Sequence, residues 1–314
     1  MMLQRVVLCC LVVLALAGRA EAGTQADVRG RGFLRCGIEQ APGLAWPDSR
    51  GVWRGFDVEI CRAIATMALG RPTVQYIVLD ADGAVKALSQ RRVDVVARVA
   101  QSWQMQAEGA VVVSRASYYD AIGVMAPRAL GIKSLRDLGG ARVCAHPAAV
   151  QALEALVRDR DLKIRVMPMN SLTALQKTYA REGCDAVAAP FVMLAGIKSL
   201  ATQPGEQVIV SDALAKWPSG PGVSSRDVAW SQLVGSSVDG LIWAEELGIS
   251  TDGVWPKTAA VERLVGSRTE RMIRTVGHYG DMFERTLGRS GGLKLKRGQN
   301  ALWSKGGMMY AAPQ

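Results

Sequence analysis

Residues 56–70, FDVEICRAIATMALG, stand between two short apolar runs, FLRCGI at 33–38 and TVQYIVL at 73–79. In the middle segment Cys61, Ile64, Ala65 and Ala68 recur at helical spacing, Asp57 can cap the start, and Gly70 ends it. The flanking runs have strand length, and TVQYIVL alternates. Residues 82–90 then predict a second helix and RVDVVARVA, at 92–100, a third strand. This β-α-β-α-β order implies a parallel, doubly wound sheet.

The pattern recurs with different residues. ARVCA (141–145) reads as a strand, and Pro147 suits the first turn of a helix whose inner face carries Val150, Leu153 and Val157. KIRVMPM (163–169) is a strand, Ser171 caps a helix ending at Gly183, and CDAVAAP (184–190) and EQVIVS (206–211) are strands. Two α/β lobes are therefore expected. The C-terminal third reads as mostly helical, with apolar periodicity through 228–247 and 270–287. Trp230, Trp243, Leu241 and Phe283 there are read as packing residues, and Glu245-Glu246 as a solvated face.

Residues 1–22 read as a secretory signal: Arg5 leads the apolar run 6–18, and Ala20-Glu21-Ala22 forms a small-residue cleavage site. The apolar run is short for a bilayer span, so an exported chain that does not span the membrane is expected from Gly23. The 38 basic and 28 acidic residues lose Arg5, Arg19 and Glu21, leaving 36 and 27, about +9. The basic residues are scattered, with no concentrated patch or motif for nucleic acid. RSGGLKLKRG (289–298) lacks the residue order of a phosphate loop.

Four cysteines remain after cleavage: Cys36, Cys61, Cys144 and Cys184. An oxidising compartment favours disulfides, with three pairings open. No CxxC occurs and His146 and His278 are the only histidines, so no metal site is expected.

RGFLRCGI, GVWRGFDVEICRAIA, SYYDAIGVM, EGCDAV, AEELGIS, VGHYGDMFERTLG and RGQNALWSKGGMMYAAP together resemble the periplasmic general L-amino-acid-binding proteins. These are a branch of solute-binding protein family 3, serving ABC importers. The resemblance runs in order through nearly the whole mature chain. It implies a type II periplasmic binding protein, two Rossmann-like lobes joined by two hinge strands near YYDAIGVM and PGVSS. Lobe one would comprise residues 23–122 and 224–314, and lobe two residues 123–223. It also implies disulfides Cys36–Cys61 and Cys144–Cys184, and a monomer in the periplasm.

The ligand-holding positions depart from the family pattern. The Arg that clamps a ligand carboxylate falls here at about Ala107, and the Asp that meets the ammonium falls on Pro190. The hydroxyl residues at a lobe-two helix start become Pro147-Ala148-Ala149. A zwitterion enclosed without partners for its charges is costly. Ordinary L-amino acids are thus expected to bind poorly.

Arg98, ending the apolar run 93–99, is read either as an ion pair with Asp94 or another local acid, or as an anion contact in the pocket. Gln101, Ser102 and Gln104 offer neutral hydrogen bonds, and Trp103 and Trp46 aromatic faces, while Trp53 is read as packing. Glu39 and Gln40 end the first strand where relatives meet ligand side chains, Glu39 being equally readable as a solvated acid. His146 is read as a helix cap or an anion contact. The expected ligand is planar and anionic, such as an aromatic carboxylate or pyrroloquinoline quinone, bound as cargo with no cofactor required. Its receiver would be an ABC permease, a periplasmic dehydrogenase or a sensor. The alternatives are an amino-acid-binding protein and, less favoured, a lyase, for which no nucleophile elbow or acid-base pair is visible.

Overall fold

The computed structural model describes residues 23–80, 83–251, 255–263 and 266–311. The expected signal segment, residues 1–22, lies outside the described residues. In lobe one, α1 (Thr24–Arg31) precedes β1 (Leu34–Ile38), a short hairpin β2 (Trp46–Pro47) and β3 (Trp53–Arg54), and α2 (Phe56–Leu69). Then follow β4 (Val74–Val78), α3 (Ala84–Ser89), β5 (Val95–Ala100), α4 (Trp103–Glu108) and β6 (Val111–Val113). The long strand β7 (Tyr118–Pro127) leads into lobe two, with β8 (Arg142–Ala145), α5 (Pro147–Arg160), β9 (Arg165–Pro168), α6 (Leu172–Ala180), β10 (Ala186–Pro190), α7 (Phe191–Leu200) and β11 (Gln207–Ile209). The second long strand, β12 (Ala215–Ser224), returns to α8 (Val228–Glu246), α9 (Ala259–Glu262), α10 (Arg268–Val276) and α11 (Tyr279–Thr286).

Among the described residues, ten strands make one sheet, whose main path runs β4-β1-β5-β12-β7-β10-β8-β9. The outer strands of each lobe pair in parallel, Leu34 with Val74 in lobe one and Arg142 with Arg165 in lobe two. The two long strands between them are antiparallel, Ala215 opposite Ile122 and Ser219 opposite Tyr118. Parallel pairing follows from the helical crossovers, and the antiparallel centre follows from a chain that passes between lobes twice in opposite directions. No helix among the described residues is long and apolar enough to cross a membrane.

The periodicity of residues 56–70 translates directly into packing. Cys61, Ile64, Ala65 and Ala68 of α2 are buried together. The Cys36–Cys61 disulfide ties this helix to β1, and Cys144–Cys184 ties β8 to the residues leading into β10. Ser171 caps α6 as read. Two expectations need correction. Asp57 lies inside α2, whose N-cap is Gly55, and its carboxylate turns to Arg98. Glu245 is buried on α8, where Arg297 grips both carboxylate oxygens at 2.7 and 3.0 Å.

The C-terminal residues fasten the hinge. Asn300 Oδ1 accepts the Tyr119 N–H at 2.7 Å, and its Nδ2 donates to the Tyr119 carbonyl at 2.9 Å, imitating a neighbouring strand. The Tyr279 hydroxyl donates to the Ser117 carbonyl at 2.9 Å. A side-chain clasp on β7 leaves the strand paired where no strand is available.

Candidate ligand cleft

In doubly wound sheets ligands lie beyond the carboxyl ends of the strands. Here those ends are Glu39 after β1, Gln101 after β5, His146 after β8 and Pro190 closing β10. Glu39 and His146 belong to opposite lobes and meet directly, Glu39 Oε1 to His146 Nε2 at 2.8 Å. The other ring nitrogen, Nδ1, accepts the Ala148 N–H at 3.2 Å, so the ring caps α5 while it bridges the lobes. This arrangement sets the tautomer: Nδ1 is an acceptor, so Nε2 carries the proton that Glu39 accepts. The His146 side chain is 4% exposed and that of Glu39 20%.

The lobes also approach closely at α7. A Cβ added to Gly196 of α7 would lie 3.1 Å from the Pro42 carbonyl oxygen, so glycine lets the two lobes approach here. Ala41 and Leu44 of lobe one share a buried apolar cluster with Val192 and Met193 of α7. Leu44 is fully buried there.

Arg98 is satisfied inside the protein. Its Nε and NH2 donate to the two oxygens of Asp57 at 3.1 and 2.7 Å, and NH1 donates to Ser219 Oγ at 2.8 Å. The guanidinium lies over the rings of Tyr118 and Phe56, 5.0 and 6.0 Å from their centroids. Burial alone would lower its pKa, but the Asp57 charge and hydrogen bonds outweigh burial and raise it. The partner is Asp57 rather than Asp94, whose carboxylate holds Arg31 and Arg35 at the opposite end of β5. An anion contact by Arg98 would have to compete with this pair, so the expected cation for a planar anion is already neutralised.

The other predicted residues separate. Trp46 lines a pocket of about 650 Å³ with Arg54, Glu59, Arg62 and Arg285. It is not brought together with Arg98. Trp53 packs against Tyr76, ring centroids 6.3 Å apart. Gln101 is exposed and its N–H donates to the Pro218 carbonyl at 2.8 Å, while Ser102 caps α4. The side chains of Trp103 and Gln104 lie outside the described residues. Ala107 is exposed on α4.

Pro190 is buried at the start of α7. It brings no side-chain acceptor to that helix, and Asp120 of β7 supplies one instead, accepting the Val192 N–H at 3.1 Å and the Ala121 N–H at 2.9 Å. Burial pushes the Asp120 pKa up to about 6, against these hydrogen bonds and the Arg98 charge. Asp120 and Ser219 escaped the sequence reading, and Asp57 reads there only as a helix cap. A carboxylate within the apolar face of α2 was the available signal for Asp57.

Two α/β lobes, a doubly crossed sheet and opposed strand ends define a two-lobed periplasmic binding protein. The chain belongs to the periplasmic amino-acid-binding proteins of ABC transporters, with the family 3 solute-binding fold. It is 32% identical to the general L-amino acid-binding periplasmic protein AapJ of Rhizobium johnstonii, across 95% of this chain and 94% of that one. It is also 32% identical to the glutamate/glutamine/aspartate/asparagine-binding protein BztA of Rhodobacter capsulatus, across 95% of each. A periplasmic binding protein from Brucella ovis with glutathione bound superposes with a TM-score of 0.88 at 30% identity, covering 93% of this chain and 99% of that one. No protein-family profile matches the chain. These relatives are binding proteins, and none of the three is named for an aromatic acid or pyrroloquinoline quinone.

Proposed function

We infer that the protein captures an amino-acid-derived zwitterion, a free amino acid or short peptide, and presents it to the permease of an ABC importer. The observation that carries this reading is the Glu39–His146 contact across the lobes. With the lobe division at residues 122/123 and 223/224, each lobe supplies one member of that pair. A ligand entering between them takes the place of each partner for the other. Its ammonium then faces the Glu39 carboxylate. Its carboxylate faces the Nε2–H of His146 and the start of α5, a 14-residue helix whose dipole favours negative charge there.

This scheme needs neither the Arg missing at Ala107 nor the Asp missing at Pro190. The amino-acid ligands named for AapJ and BztA, and the glutathione of the Brucella ovis protein, belong to the same chemical class. A planar aromatic anion fits less well, because Arg98 is paired and Trp46 lines a different pocket.

Calorimetry against the twenty amino acids, dipeptides and glutathione tests the reading. Binding of one of these is expected, weakened at least tenfold in both Glu39→Gln and His146→Ala. Binding only to aromatic carboxylates, or unchanged affinity in both variants, would sink it.

A further inference from the structure

The two helices α1 and α2 both end on left-handed glycines, Gly32 at φ +79° and Gly70 at φ +77°. These ends meet at the amino edge of the lobe-one sheet, and α2, with 14 residues, separates them from the cleft by about 21 Å. A cavity of about 270 Å³ opens there, and Arg29, Arg71, Arg268 and Arg271 line it together with the two glycines. Among the described residues, no carboxylate belongs to its lining. The volume falls below the ~300–1,000 Å³ usual for pockets that enclose drug-sized ligands, so a small occupant is indicated.

The ordinary explanation of such arginines is that they cap helix carbonyls, and they do so in part. Arg29 Nε donates to the Ala68 carbonyl at 3.2 Å, Arg71 NH2 to Gly32 at 3.1 Å and Arg268 NH1 to Met67 at 3.4 Å. Each of these guanidiniums has five N–H donors, so most remain to be used. Two helix ends supply roughly −1 charge against four guanidiniums. None of the four forms an ion pair among the described residues. Glu270, the acid that feels Arg271, accepts from Arg274 and the Gly266 N–H. The glycines also make room for the cations: a Cβ on Gly32 would fall 2.9 Å from Arg71 NH2, and one on Gly70 2.5 Å from Arg271 NH1.

We propose that this pole of lobe one binds a phosphoryl oxyanion, independently of the solute in the cleft. Several guanidinium forks around a small space match a compact, multiply charged group with oxygens on all sides. The same chemistry is carried by a free phosphate or diphosphate and by the headgroup of an anionic phospholipid.

The test uses the full mature protein and two probes, pyrophosphate by calorimetry and phosphatidylglycerol vesicles by co-sedimentation. Saturable binding of either is expected, falling with added salt and about tenfold weaker in Arg71→Gln/Arg271→Gln. Arg158→Gln, an exposed arginine of lobe two, should leave it unchanged. Pyrophosphate binding identifies a free anion as the source, and vesicle binding alone identifies the headgroup. Both support the site. Binding of neither probe, or equal affinity in the double variant with its fold intact by circular dichroism, overturns it.

Discussion

Arg98 reaches back 41 residues to Asp57, and the two side chains, 9% and 3% exposed, satisfy each other with a two-pronged contact. Removing one partner leaves a buried charge alone, which costs about 3–5 kcal/mol, whereas an apolar pair of similar volume costs far less. Asp57→Asn is therefore expected to lower stability by about that amount in urea unfolding. The double variant Arg98→Met/Asp57→Leu should recover much of the loss. If both variants unfold at the wild-type midpoint, the pair is not the stabilising contact described.

Asn300 carries both hydrogen bonds to the hinge residue Tyr119. Asn300→Ala leaves that N–H and carbonyl without their partner, at about 1–3 kcal/mol for a buried group. Hydrogen exchange at Tyr119 should accelerate markedly. Exchange as slow as in the wild type would show that the clasp is dispensable.

Asp120 gives a pH dependence of unusual sign. Its folded pKa, raised to about 6, exceeds the ordinary 3.8. Between those values the folded protein holds a proton that the unfolded chain has released, so this group's contribution to stability falls as pH rises from about 4 to 6. Hydrogen-bonded carboxylates such as Asp185, held down by Arg142, act in the opposite direction. The difference in urea midpoint between wild type and Asp120→Asn, followed from pH 4 to 7, isolates the effect. A difference that does not change with pH would exclude it.

Glu39, His146 and Gly196 all hold the lobes together. Gly196→Val places side-chain atoms where the Pro42 carbonyl already sits at 3.1 Å from a bare Cβ. It is expected to open the ligand-free protein, raising the radius of gyration in small-angle scattering. His146→Ala removes the polar contact alone and should open it less. Identical scattering from all three proteins would mean that these contacts do not set the closed state.

The disulfides close loops of 25 and 40 residues. Each is expected to contribute about 2–4 kcal/mol. Serine at Cys36 and Cys61, or at Cys144 and Cys184, should lower the thermal midpoint, and non-reducing peptide mapping should find both crosslinks in the wild type.

Helices and strands were legible because their signal is local. The spacing of Cys61, Ile64, Ala65 and Ala68 determines which face of α2 is buried, and the alternation of such helices with apolar runs determines a parallel sheet. The repeat of that alternation pointed to two lobes, and the resemblance along nearly the whole mature chain carried the crossing strands and the cysteine pairing. Charged residues were another matter, since a carboxylate's role depends on what lies opposite it. Asp57 reads as a cap and Glu245 as surface until α2 is laid against β5 and α8 against the C-terminal turn. Only then do Arg98 and Arg297 become their partners.

The cleft divides in the same way. Glu39 stands out in the sequence through the resemblance, at the end of the first strand, and His146 as the residue that starts a helix. Their contact across 107 residues exists only when the lobes close. Trp46 reads as a neighbour of Arg98 because both sit near strand ends, yet the β2–β3 hairpin turns it to another pocket. Local periodicity determines secondary structure through nearest-neighbour sterics and burial. Ion pairs and ligand positions join residues far apart in the chain, and for those only the assembled tertiary structure decides which charges meet.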